Sequence, residues 1–521
     1  MNRFARRSNV VPLARRAQLA QKSRAVTASL PAPVGGWNAR DALGEMEPTD
    51  AVSLTNMFPS TTSVNLRFGY TAFATGAPAQ VQSLFAYQSG SASRLIAVSD
   101  GAFYNISAGG AFPAASVSGL TNSKWQYVNI TTPGGSFIIA CNGADDVRSF
   151  DGTSWASPSI TGVTSSNLVN VNVHKNRLWF CENSTLKAWY LPTQSIAGAA
   201  AALDLSAFCP HGGYLMAMGT WTIDAGYGVD DHAVFITSEG DVLVYRGTDP
   251  SSSTTWALVG VWWLGSPVGR RCFVKYAGDL LLITEDGLLP LSGALQSSRL
   301  NPRVAVTDKI QKAMSDAVSM YGANFGWQVL PYPQQNMLLL NVPVSSSAAQ
   351  QQYVMNSITG AWCNFTGWEA ACWELYGNQI YYGGSSFVGL AWSSNADAGA
   401  NISWSALQAF NYFGERGRTK RFSMFRPTLQ ITGNPTIYGN LAVDFDQTAA
   451  ISALSTVATT GASWDSGVWD TGQWGGYNFS RAWQGTAGVG YCAAPNMNGT
   501  SNGLELQWIS TDCVIEPGGF L

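Results

Sequence analysis

Apolar and polar positions along the chain repeat one short phrase. Four or so strand-forming residues meet Asp or Glu followed by Gly, and a second apolar strand follows. "LIAVSDGAFYNIS" (95–107), "AVFITSEGDVLVY" (233–245) and "DLLLITEDGLLPLSG" (279–293) all read this way. An acidic-Gly step between two apolar runs predicts a β-hairpin. Related stretches begin at residues 94, 136, 177, 233, 279, 337 and 379. A period of about 40–50 residues with several strands per unit is the sequence mark of a β-propeller. One such unit cannot bury both faces of its sheet alone, so units stack around an axis. The expected fold is all-β, a β-propeller of six or seven blades over residues 80–395, with an array of β-sandwiches as its rival.

One segment has a different period. "VTDKIQKAMSDAVSMY" (306–321) puts Ile310, Met314, Ala317 and Val318 on one stripe, with Thr307 or Asp308 as a cap. It predicts a short helix inserted between blades. Insertions are where a repeat protein places contacts, so Ile310 and Met314 are candidate contacts to a subunit or another partner.

The flanks differ from the repeats. Residues 1–35 read as a basic flexible arm that ends at "LPAPVGG". Residues 36–79 form a lead-in, with helix-start character where Pro48, Thr49 and Asp50 precede "AVSLTNM". Residues 396–521 read as a C-terminal β-rich domain, a small sandwich, whose last segment "NGLELQWISTDCVIEP" (502–517) alternates well.

Composition sharpens this picture. The 521 residues carry 12% charged side chains, 12% aromatics, 20 Trp and 54 Gly. Typical soluble domains have about 25% charged residues. Two explanations stay open: a surface covered by copies of the same chain, or a polar Ser/Thr/Asn surface. The net charge of −3 gives no global nucleic-acid signature. Eight basic residues nevertheless precede the first acid, Asp41. That arm reads as a segment ordering on assembly or as a transit-like peptide. Eight scattered Cys without a CxxC predict reduced, buried thiols, and no run approaches a membrane span.

Candidate chemistry is sparse. Only His174, His211 and His232 could serve a triad, and Cys209 with His211 lacks the further ligands a metal needs. No phosphate-loop, nucleophile-elbow or zinc-helix motif occurs. The reading is a non-enzyme with no catalytic residue, no metal and no cofactor. "SFDGTSW" (149–155) is shorter than the Asp-box of sialidase-type propellers and occurs once. It reads as a turn over Trp155. Trp464, Trp469 and Trp474, every fifth residue in "GASWDSGVWDTGQWGG" (461–476), could stack sugars or pack at a subunit contact. Arg416, Arg418, Lys420, Arg421 and Arg426 could touch DNA phosphates or a neighbouring ring. Their other reading is the solvent face of a strand, given the period of two.

Two stretches carry a family likeness. "GGWNARDALGEMEPTDAVSLTNMFPSTTSVNLRFGY" (35–70) and "YVMNSITGAWCNFTGWEAACWELYGNQIYYG" (353–383) resemble tail nozzle proteins of short-tailed bacteriophages, the tail tubular protein B type. "RTKRFSMFRPTLQI" and "WDSGVWDTGQWG" look like the end of such proteins, so the likeness spans about residues 35–521. It implies a virion tail protein assembled in the bacterial cytoplasm: a homohexamer below an adaptor ring, gated for ejection of double-stranded DNA and bearing fibres or spikes. A conduit wall of that kind should be weakly charged or acidic, so that DNA slides. The competing expectation is a glycan-binding or glycan-cleaving propeller.

Overall fold

The computed structural model describes residues 25–518 apart from 91, 225–228, 295–303, 346–349, 434 and 456–477. The hairpins stand where the acidic-Gly steps put them. Ser93–Ser99 pairs with Ala102–Asn105 across Asp100 and Gly101, both at positive φ (49° and 63°), which is the handedness that matches strand twist. Val229–Thr237 pairs with Asp241–Gly247, and Asp279–Thr284 with Gly287–Pro290.

Each hairpin is the middle of a blade. Among the described residues there are seven blades, and their innermost strands are Val81–Gln88, Gln126–Thr132, Leu168–His174, Leu215–Asp224, Phe273–Tyr276, Gln328–Tyr332 and Cys372–Tyr376. These strands touch in cyclic order, and the seventh returns to the first. The ring is therefore closed, which settles the blade number at the upper of the two expected values. Closure uses a strand from far upstream. Gly69–Thr75 is the outer strand of blade 7, antiparallel to Phe387–Ser394. Gly69 has to be Gly, because a Cβ there would lie 2.1 Å from the Ala396 carbonyl oxygen. Apolar clusters fill the gaps between blades. One joins Phe85, Phe103, Trp125 and Phe150 of blades 1 and 2, and another joins Trp179, Phe235 and Trp256 of blades 3 and 4.

The C-terminal unit is a two-sheet sandwich, and the lead-in belongs to it. Asp50–Thr55 is a strand beside Ile402–Gln408, not a helix start. Pairing and burial of Ala51 and Leu54 override the local capping signal, and the Asp50 carboxylate accepts from Asn38 and Lys309 instead. The sheet does not stop at the domain boundary. Blade 6 continues through a parallel bridge, Thr55 to Asn364, into Ile402–Gln408, Ala493–Ser501 and Thr436–Val443. The facing sheet holds Lys420–Ile431 against Leu506–Pro517. Phe422, Phe425 and Cys513 from this sheet meet Leu441 and Ala493 from the other. The expected arm also ends earlier than residue 35: Val26–Pro31 is a strand antiparallel to Leu506–Pro517.

The inserted helix is real, at Gln311–Tyr321 after a 3-10 turn at Asp308–Ile310. Neither Thr307 nor Asp308 caps it through a side chain. Thr307 Oγ1 accepts from the Leu288 N–H, and Asp308 pairs with Arg40. Ile310 and Met314 are buried in the chain's own core with Leu289, Trp327 and Trp362. They cannot be subunit or adaptor contacts, because an amphipathic stripe seals against the nearest apolar surface, here blades 5 and 6.

Candidate functional site

The propeller axis gathers polar chemistry. Every inner strand contributes to a cavity of about 210 Å³ on the axis, with Tyr127, Asn170, Asn172, Gln328 and Glu374 in its wall. Several of these side chains stitch neighbouring blades together. Asn172 Nδ2 donates to the Met218 carbonyl at 2.7 Å, and the Met218 N–H donates to Asn170 Oδ1 at 3.1 Å. Gln328 Nε2 donates to the Trp373 carbonyl at 2.9 Å, and Gln328 Oε1 accepts from the Trp373 N–H at 3.1 Å.

Arg271 crosses the axis. It precedes the inner strand of blade 5, yet Nη2 donates to Ser83 Oγ (2.9 Å), the Trp125 carbonyl (3.0 Å) and the Gln82 carbonyl (3.2 Å). Nη1 lies 3.4 Å from Gln328 Oε1. One guanidinium thus links blades 1, 2, 5 and 6 at the wall of the axial cavity. Its acceptors are neutral, and burial pulls its pKa below the usual arginine value. Glu374 shares the cavity. Burial pushes its carboxyl up to about 7, while the Tyr127 hydroxyl, the Leu375 N–H and the nearby Arg271 charge oppose that rise.

A second cavity of about 340 Å³ adjoins the first and shares Gln126, Arg270 and Arg271 with it. Lys124 and Phe325 complete its lining chemistry. Lys124 Nζ and the Arg271 guanidinium each lie 5.1 Å from the Phe325 ring centre, within cation–π range. The Phe325 loop is fixed: Asn324 Nδ2 donates to the Pro343 carbonyl (2.7 Å), and Asn341 Nδ2 donates to the Gly326 carbonyl (2.9 Å).

The residues singled out from sequence lie elsewhere. Arg416 and Arg418 precede the strand Lys420–Ile431 and do not share its solvent face. Arg416 pairs with Glu45 at 2.8 Å and stacks on Tyr412. Arg418 donates to the Gly518 carbonyl at 2.7 Å and pairs with Glu415. Lys420 is buried, donating to the carbonyls of Glu415, Arg418 and Tyr491. Arg426 pairs with Asp512 at 2.6 Å, and Arg421 stands 3.7 Å from Glu516. The five cations form no common basic surface. Trp464, Trp469 and Trp474 lie outside the described residues.

The histidines do not converge either. His174 is buried, and burial lowers its pKa to about 4. His211 Nδ1 meets the buried Asp241 carboxylate at 2.6 Å, and Cys209 Sγ contacts the Leu205 carbonyl. No group of three or more His, Cys, Asp and Glu gathers among the described residues. No described helix is long and apolar enough to cross a membrane. "SFDGTSW" is a side-chain-closed turn. Asp151 Oδ1 accepts from the Thr153 and Ser154 N–H groups, and Trp155 packs on Phe103 and Phe150. All eight Cys are buried and unpaired.

Sequence reading passed over Arg271, Glu374, Lys124 and Phe325. The signals were "GRRCFVKY", two adjacent arginines before an apolar strand, and "CWELYG", one carboxylate amid aromatics in a chain poor in charge.

No protein-family model matches the chain, and no curated protein does. Several solved structures are similar to it at low identity. The WD40 β-propeller domain of Doa1 is 10% identical with a TM-score of 0.39, covering 62% of this chain and 96% of that one. The computationally designed Ika8 protein is 9% identical with a TM-score of 0.36, covering 62% and 99%. BBS1N, solved in complex with ARL6DN, is 9% identical with a TM-score of 0.38, covering 62% and 97%. The chain itself is a seven-bladed β-propeller fused to a β-sandwich.

Proposed function

We propose that the chain is a structural subunit of a tail nozzle of the short-tailed bacteriophage kind, working as a homohexamer around a conduit for double-stranded DNA. The observation that carries this reading is where the two family-like stretches meet. Residues 35–70 and 353–383 pack on each other at the joint between propeller and sandwich. The Asn56 N–H donates to the Asn364 carbonyl at 2.7 Å, and a Cβ on Gly36 would lie 2.6 Å from the Trp362 carbonyl oxygen. The likeness therefore falls on the element that holds the two units at a fixed angle, which a strut in a tube requires.

Two further features support a structural role. The cavity on the propeller axis is only about 210 Å³ and Arg271 ties blades together at its wall, so a duplex would run along an outer face between copies, not through the propeller. The sandwich also exposes Val489 (70%), Phe479 (50%) and Ile451 (88%), apolar side chains suited to a covered interface. In this reading the adaptor ring above and fibres or spikes at the side are the other partners, and the virion tail is the location. The test is the mass of the purified protein by light scattering, with negative-stain images of the same sample. A ring or tube near six times 55.6 kDa, or a monomer that forms one on an adaptor ring, is expected. A stable monomer that joins no ring and binds sugar saturably would replace this reading with a glycan-recognition one.

A further inference from the structure

The cavity beside the axis holds more positive charge than the chain neutralises. Lys124, Arg270 and Arg271 all line it, and no carboxylate does among the described residues. None of the three forms an ion pair there. Arg270 makes two long hydrogen bonds, Nη1 to the Met216 carbonyl and Nη2 to Asn183 Oδ1, both at 3.4 Å, and lies 5.9 Å from the Tyr214 ring centre. Lys124 touches the Phe325 ring and is otherwise exposed. The carboxylate behind the wall, Asp145, is engaged by the Thr121 N–H and by Asn142 Nδ2. Glu374 lies in the adjoining cavity and is held partly protonated near neutral pH.

Three cations of a low-charge chain line a space of about 340 Å³ that no carboxylate among the described residues lines; Arg271 is committed to its own acceptors, while Lys124 and the weakly held Arg270 keep donor capacity beside that space. Guanidinium and ammonium donors in that arrangement match a tetrahedral oxyanion. The ring of Phe325, on a loop held by two side-chain hydrogen bonds, forms one side of the cavity. We propose that this cavity binds a small phosphate-bearing ligand, with Lys124 and Arg270 as its main donors and Arg271 as the fixed charge at its floor. The volume admits a phosphate monoester and excludes a duplex, so the site is separate from any DNA conduit.

The probe is inorganic phosphate, titrated calorimetrically into the full chain at constant ionic strength, with glycerol phosphate as the monoester. One saturable site per chain is expected. Lys124→Ala and Arg270→Gln should each weaken it by about tenfold. Lys187→Ala, an exposed lysine of blade 3, should leave it unchanged. Lys124 is exposed, so Lys124→Ala should melt like the parent chain, and melting curves check that it folds. Absence of saturable heat up to about 10 mM phosphate, or equal affinity in Lys124→Ala and the parent chain, would overturn the proposal.

Discussion

Arg67 forks the carboxylate of Asp397, with Nη1 to Oδ1 at 2.9 Å and Nη2 to Oδ2 at 2.7 Å. Arg67 follows the sandwich strand Val64–Leu66 and precedes the closing strand Gly69–Thr75, while Asp397 follows the last strand of blade 7. The pair therefore clamps the point where the chain passes from sandwich to propeller. The guanidinium also donates to Asn56 Oδ1 and the Thr366 carbonyl, and it stacks on Trp368 at 4.7 Å. Arg67 is 1% exposed, so removing one partner strands a buried charge. Asp397→Ala should cost about 3–5 kcal/mol, and Arg67→Met with Asp397→Leu together should cost less than Asp397→Ala alone. Urea unfolding of the three proteins measures both.

Closure of the ring gives a second prediction. Gly69→Ala should destabilise the chain by about 2–4 kcal/mol, because the new methyl meets backbone that cannot move aside. Gly76→Ala is a poor control, since φ there is +85°. Gly90→Ala meets nothing within 4 Å and should be silent. Limited proteolysis of Gly69→Ala should cut first in blades 7 and 1, where the seam lies.

The seven repeat starts found in the sequence fall on the middle strands of the seven blades, so the architecture was legible. Alternation within a hairpin is local, and each blade carries its own copy. The closing strand was not legible. Gly69–Thr75 lies more than three hundred residues before its partner Phe387–Ser394, and nothing in "GYTAFAT" names that partner. The same holds for Asp50–Thr55, whose Pro-Thr-Asp prefix mimics a helix start until the neighbouring strands are in place. The site was hidden for a related reason. Arg271 acts through acceptors on blades 1, 2 and 6, and only the closed ring brings those together. The more conspicuous basic run at 416–426 is tied up by Glu45, Glu415, Glu516 and Asp512, three of which are distant in sequence.

Glu374 and His174 should shape the pH dependence of stability in opposite ways. The folded carboxyl of Glu374 sits near 7 against an ordinary value of 4.5, so the folded state holds the extra proton between these values. Its contribution is fully present below 4.5 and is lost as pH rises through 7. His174 is depressed to about 4 from 6.5, so the unfolded state holds the extra proton, and stability is lost as pH falls from 6.5 toward 4. Glu374→Gln should remove the alkaline loss and gain about 1–2 kcal/mol at pH 8 over the parent. Melting temperatures at pH 5 and pH 8 check the sign: the variant should gain more at pH 8. An equal shift at both would show that Glu374 does not titrate between them.

Arg271 should resist conservative replacement. A lysine has one point of charge and three donors on a flexible stem, while four acceptors on three other blades surround the guanidinium. Arg271→Lys should cost about 2–3 kcal/mol in urea unfolding, since at least two buried acceptors lose their donor. Arg270→Lys, whose own contacts are long, should cost under about 1 kcal/mol.

The sandwich face bears most directly on assembly. Val489 lies opposite Arg421, and Arg421 opposite Glu516, on the outer side of the sheet. Met424 is 37% exposed on the same strand as Arg421, and Trp483 stacks under Arg426 at 4.6 Å. Apolar side chains that stay in water contribute nothing to the fold of a single chain, so Val489→Asp and Met424→Asp should each change folding stability by less than about 1 kcal/mol. If this face is covered by a second copy, a charge placed in it must be desolvated without a partner, and association should weaken by about 2 kcal/mol or more per interface. In a closed ring every subunit carries the change, so the loss multiplies around the ring. Light scattering should then give monomer-sized particles for Val489→Asp under conditions where the parent forms rings. Rings of unchanged mass from both variants would move the contact to another face and leave the fold as described.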